Sequence, residues 1–263
     1  MASSQIQRLV NAAAPLWAGE AEIVRTYWTS PKRSVATDVS WLARQSFKEF
    51  WGSGVSKFDR GGMFFGIMKN LLARGSEIDV TLDRHEIAEA LETLQAEFAH
   101  YCAFADVHDA IRPPDVPRLN PERLESWPAE DALTALRFRH QEQHGAIGLR
   151  ACKFTEGGYC TLFSEGKALA GRGGVDDQIA AACALVYEDE FGHMLAGIAG
   201  IDRDGLTPSD WSLLEALVIE QLHQRIRMRN QQFGDPVAEQ RIAAIQDGAI
   251  TPLAFDYGRA GLA

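Results

Sequence analysis

The spacing of apolar residues constrains this chain more than any other feature. Phe47, Trp51, Val55, Phe58, Gly62, Phe65 and Leu72 advance by three, four or seven positions, and Ile87, Leu91, Leu94, Phe98, Tyr101 and Ala105 follow the same rule. Steps of three and four return to one side of an α-helix, whereas a half-buried strand would need strict alternation. No stretch alternates in that way, so the expectation is an all-α chain. Glycine and proline set its divisions. The first helix runs from about Trp41 to Gly75-Ser76, with close packing or a kink at Gly61-Gly62. The second, about 83–111, stops at Arg112-Pro113-Pro114. The third, about 130–168, ends in Gly171-Arg172-Gly173-Gly174, and the fourth covers about 175–200. The fifth starts at Thr207-Pro208-Ser209-Asp210 and lasts until Gly234-Asp235-Pro236. Prolines at 117, 121 and 128 make the link between helices two and three a long crossover. Residues 1–40 read as an N-terminal arm with one short helix around Glu20–Tyr27, 41–236 as a helical bundle domain, and 237–263 as a C-terminal tail, loose from Asp256 onward.

Composition narrows the function classes. With 26 Lys and Arg against 36 Asp and Glu, the formal net charge is -10, which repels phosphate backbones and argues against nucleic acid as partner. No apolar run is long enough to span a bilayer, and Met1–Arg8 lacks the basic-then-apolar layout of a secretory signal. Cys102, Cys152, Cys160 and Cys183 show no C-x-x-C spacing, consistent with reduced thiols and a cytoplasmic, membrane-free setting.

Three Glu-x-x-His pairs occur: Glu97/His100, Glu190/His193 and Glu220/His223. Residues three apart on a helix share a side, so a carboxylate and an imidazole at that spacing can grip one ion. Around a helical wheel Glu190 falls inside the apolar side with Ile179, Cys183, Val186, Tyr187 and Met194. Glu97 and His100 fall at the flank of theirs, and Glu220 and His223 in a polar arc with Ser212, Ala216 and Arg227. Glu156 interrupts the stripe Phe138, Gly145, Leu149, Cys152, Cys160, Phe163, where a lone carboxylate needs a partner. Glu156 and Glu190 stand seventeen residues on either side of Gly173, which would place them level on an antiparallel pair. Cys152 and Cys160 read as core fillers, Tyr101 and Tyr187 as packed tyrosines, and His140 and His144 as structural.

The order Glu-x-x-His, a long gap, Glu, a shorter gap and Asp-Glu-x-x-His resembles the ferritin-like di-iron carboxylate proteins. These include bacterial multicomponent monooxygenases, the ribonucleotide reductase small subunit and the p-aminobenzoate N-oxygenase type. The resemblance covers about residues 45–200. It implies a ferritin-like four-helix bundle with additional helices, in which each half gives one carboxylate and one Glu-x-x-His. Glu97 and His100 match the first motif, Glu156 the second half's single carboxylate, Glu190 and His193 the second motif, and Asp189 the acid that orients a histidine. Ala96 and Gly192 depart from the pattern. For the remaining carboxylate two residues compete. Asp59 has the usual chain order and the right height about a turn near 78, but a poor wheel position. Glu220, with His223, belongs to the third Glu-x-x-His and is taken first.

By the same resemblance the cofactor is two iron ions, with a manganese–iron pair as the variant, and no catalytic residue beyond the metal ligands is assigned. O2 and a small organic substrate are the expected partners, and an electron-donor protein and a homodimer are compatible with it. The expected activity is an O2-dependent hydroxylation, N-oxygenation or desaturation. The alternatives are a ferritin-like ferroxidase or iron-binding protein, and a metal-free helical interaction protein.

Overall fold

The computed structural model describes residues 2–52, 68, 69 and 71–263, without the side chain of His193. Among the described residues the regular structure is helical, with one isolated bridge between Ile78 and Leu82. The chain divides into two compact units, Ser34–Ser126 and Met1–Arg33 with Trp127–Ala263. No helix among the described residues is long and apolar enough to cross a membrane.

In the unit Met1–Arg33 with Trp127–Ala263, the first helix, α1, spans Ser4–Trp28. Ser3 caps it by accepting from the amide of Ile6. The short helix expected near Glu20 is therefore a 25-residue one, buried along Ile6, Leu9, Val10, Ala13, Leu16, Trp17, Glu20, Ile23 and Val24. Glu20 lies within this buried side. That carboxylate accepts from Arg225 Nε at 2.9 Å and from Arg229 Nε at 2.7 Å, so a charge in the core is compensated.

The second unit begins with α2, Val35–Trp51, capped by a Ser34–Thr37 capping box and ended at Gly52, whose φ of 69° suits a residue without Cβ. This helix starts before the expected Trp41 and stops well short of Gly75. Val55, Phe58, Asp59, Gly61, Gly62 and Phe65 lie outside the described residues. Leu72, expected on the buried stripe, is 81% exposed. The next helix, α3, spans Arg84–Ile111, close to expectation, with Asp83 capping the amide of His85. It packs on α2. Their shared core holds Trp41, Leu42, Phe50, Leu94, Tyr101 and Phe104, with Trp41 edge-on to Phe104 at 6.2 Å and Phe50 edge-on to Tyr101 at 5.1 Å.

Back in the other unit, the expected third helix is interrupted twice. Helix α4 spans Pro128–Thr155 but folds back at Gly145, whose φ of 51° and ψ of -121° are not helical. Straight, the helix would hold Arg137 and Thr155 about 27 Å apart. Instead Arg137 Nη2 donates to Thr155 Oγ1 at 3.1 Å. A 3-10 segment, Glu156–Cys160, follows with positive φ at Gly157, Gly158, Tyr159 and Cys160, and then α5, Thr161–Lys167. Glycines at 145, 157 and 158 let the chain turn where periodicity alone continues it. Helix α6 covers Gly174–Ala199, and α7, Pro208–Gln232, opens on a Thr207–Asp210 capping box as the start signal implies. A short α8, Glu239–Gln246, lies in the tail. Beyond it, Leu253 donates its amide to Ala14 and Arg259 pairs with Glu188 at 3.1 Å, so the tail end is tied down by specific contacts.

Candidate metal centre

Helix α2 buries the residues one and two turns along from Trp41, namely Gln45, Ser46, Glu49 and Phe50. Helix α3 buries Leu94, Glu97, His100, Tyr101 and Phe104, so Glu97 and His100 lie on its inward side rather than at the flank. Packing α2 on α3 therefore brings Glu49 to the Glu-x-x-His pair. His100 Nδ1 is 3.9 Å from Glu49 Oε2 and 4.0 Å from Glu97 Oε2. One ligand atom from each of the three lies within 4.8 Å of the others. His100 is 0% exposed, Glu49 8% and Glu97 9%.

These separations are too long for hydrogen bonds and suit ligands that share an ion. Bonds of about 2.0–2.2 Å to nitrogen and oxygen allow two ligands of one metal to stand up to about 4.2 Å apart. Two carboxylates and an imidazole suit iron, manganese or zinc, and a dication among them would offset the charge of two acids held out of water. The residues present therefore fit a metal ion. Glu49 is oriented further by Gln45, one turn back on α2, whose Nε2 donates to Glu49 Oε1 at 2.5 Å. Buried aromatic rings lie next to the group: Phe50 is edge-on to Tyr101 at 5.1 Å. Burial pushes the Tyr101 phenol above its usual range, so it stays protonated.

Among the described residues this is the one group of three metal-ligating side chains within reach of a single ion. It contains Glu97 and His100 and adds Glu49, which the sequence reading passed over. A signal existed: Glu49 is eight residues after Trp41, on the same side of the helix, so it interrupts an apolar stripe as a ligand carboxylate would. A count of residue heights about a turn near 78 points instead to Asp59, beyond the end of α2 at Trp51. Asp59, which the count favoured, lies outside the described residues.

The other expected ligands occupy varied settings in the unit that holds α4, α6 and α7. Glu156 is exposed at the C-terminal cap of α4, where the chain leaves the helix, and not inside a core stripe. Glu190 is half-buried on α6, and the side chain of His193 on the same helix lies outside the described residues. Burial and the nearby Glu190 carboxylate together push the Cys160 thiol up, so it is not a thiolate ligand at neutral pH. Asp189 is exposed. Glu220 is 60% exposed, and its Oε2 accepts from His140 Nε2 at 3.1 Å. His223 is half-buried, and burial lowers its pKa. Both line an open groove of about 370 Å³ with Arg139 and Arg227, a polar setting that agrees with their place on the wheel.

No family model, curated protein or solved structure matches this chain.

Proposed function

We propose that the protein is a metal-dependent oxidoreductase of the non-haem carboxylate type, with Glu49, Glu97 and His100 holding an iron or manganese ion. One observation carries this reading: a carboxylate from α2 meets a Glu-x-x-His pair from α3 in a buried, aromatic setting. A single carboxylate on one helix and Glu-x-x-His on its neighbour is the ligand pattern of one half of a ferritin-like di-metal site. Glu49 thus takes the role for which Asp59 and Glu220 compete on sequence grounds. The ferritin-like four-helix arrangement and a second ion belong to the same proposal.

An iron or manganese pair would supply the redox chemistry by which O2 oxidises a small organic substrate. The chain's own residues do the rest. Glu49 and Glu97 offset the ion's charge, and Gln45 fixes the direction of the Glu49 carboxylate. His100, on the same side of α3 as Glu97, supplies a neutral nitrogen. Trp41, Phe50, Tyr101 and Phe104 keep water from the neighbourhood, which limits stray oxidation. Hydroxylation, N-oxygenation and desaturation are the outcomes that such a site serves.

Metal analysis after anaerobic reconstitution tests this reading. Bound iron or manganese should reach at least about one per chain and fall in His100→Ala and Glu97→Ala, and a wild-type value well below that rejects the proposal. O2 uptake that depends on an organic substrate marks an oxygenase, whereas uptake with Fe2+ alone marks a ferroxidase.

A further inference from the structure

We infer that Gln45 is the positioning residue of the Glu49–Glu97–His100 site and restricts Glu49 to one ligand oxygen; this rests on the metal-binding reading above. Gln45 and Glu49 are four apart on α2, and Gln45 is buried beside it. An ionised carboxylate offers only acceptors, so the Gln45 amide must present its NH2 group, and Nε2 donates to Oε1 at 2.5 Å. A bond to an ionised acceptor out of water is among the stronger kinds. Oε1 is thereby committed to the amide, and Oε2 is the oxygen that faces His100 Nδ1, at 3.9 Å.

The consequence is selectivity. Ca2+ gathers six to eight oxygens at about 2.3–2.6 Å and commonly takes both oxygens of a carboxylate. A glutamate held to one oxygen serves that ion poorly. It serves an ion with bonds near 2.1 Å and fewer ligands, such as Mn2+ or Fe2+, which also accepts the imidazole nitrogen. Gln45 therefore orients a ligand and discriminates between cation classes, although it touches no metal.

The test uses the full-length chain, with Mn2+ and Ca2+ as probes in titration calorimetry. Gln45→Leu and Gln45→Met remove the donor at similar volume, and circular dichroism confirms that each stays helical. Mn2+ should bind about ten- to a hundredfold more weakly in both variants, the range seen when a partner of a metal ligand is lost. The preference for Mn2+ over Ca2+ should narrow at the same time. Infrared difference spectra should show the wide carboxylate splitting of a one-oxygen ligand in wild type and a narrower, two-oxygen splitting in the variants. Folded variants with wild-type Mn2+ affinity and unchanged carboxylate bands overturn the role of Gln45 alone, provided that His100→Ala still abolishes binding. A wild-type protein that binds no Mn2+ overturns both this inference and the site on which it rests.

Discussion

Glu49 and His100 are separated by 51 residues in the chain and by 3.9 Å in the fold. The contact exists because α2 buries Glu49 and α3 buries Glu97 and His100 on the sides by which the two helices pack. At the dielectric of a protein core an isolated carboxylate is costly, so two of them converging on an imidazole is a pattern that a cation would stabilise.

Removing the imidazole is the cleanest disruption. His100→Ala should weaken Mn2+ binding by more than about 100-fold, exceeding the loss expected for an orienting partner. Glu49→Gln, which keeps the volume and loses the charge, should weaken it to a comparable extent. Titration calorimetry checks both, and an unchanged affinity in Glu49→Gln would remove that residue from the ligand set.

The buried pairing of Glu20 with Arg225 and Arg229 should make stability depend on acid. Burial by itself would raise the Glu20 carboxyl, but the two guanidiniums hold it below its ordinary value of 4.5. Its contribution is therefore complete above that value and disappears as pH falls from there through the depressed one. Glu20→Gln should cost about 3–5 kcal/mol at pH 7, since it strands two buried cations. Urea titrations should show the gap between variant and wild type closing in strong acid.

Gly158 has a φ of +55°, and a Cβ there would run into Arg225 Nε and Glu20 Oε2. Gly158→Ala should destabilise the protein by roughly 1–3 kcal/mol from overpacking, in addition to the backbone strain. Gly171→Ala, at φ +84° with nothing within 4 Å, should show the strain alone, about 1 kcal/mol. Comparing the two urea midpoints separates the terms.

His140 should be neutral with its proton on Nε2. Arg137 donates to Thr155 Oγ1, the Thr155 hydroxyl donates to Gln221 Oε1 at 2.7 Å, and the amide Nε2 of Gln221 then faces His140 Nδ1 at 2.9 Å. Nδ1 is thus the acceptor, and Nε2–H points at Glu220. Burial, the largest influence, lowers the His140 pKa, Glu220 opposes it, and the net direction is down. Nitrogen-15 NMR should show the Nε2–H tautomer at pH 7, and in Gln221→Leu the signal should lose that single-tautomer character.

Much of the local structure was legible from residue order. Capping residues Asp83 and Thr207 start α3 and α7, where Ser/Thr/Asp side chains satisfy the first orphan amides. Glu97 and His100 share one side of a helix because residues three apart always do. The length of the helix near the N-terminus was not legible in this way. The carboxylate in the middle of α1 is compensated by partners more than 200 residues away, which no local spacing reveals. The third helix failed because period alone cannot tell a continuous helix from one that folds back on itself; Gly145 permits the reversal, and contacts such as Arg137 with Thr155 hold it.

Sequence by itself determined the helical period, several helix ends and the pairing of Glu97 with His100, because each depends on interactions within a few residues of backbone. Only the tertiary structure decided that Glu49 completes the group and that Gln45 orients it. It also decided that Glu20 can lie in the core and that Glu156 stands exposed at a helix end. Those outcomes depend on which helix sides meet, and that is set by burial and charge compensation summed over segments distant in the chain, quantities that no local spacing contains.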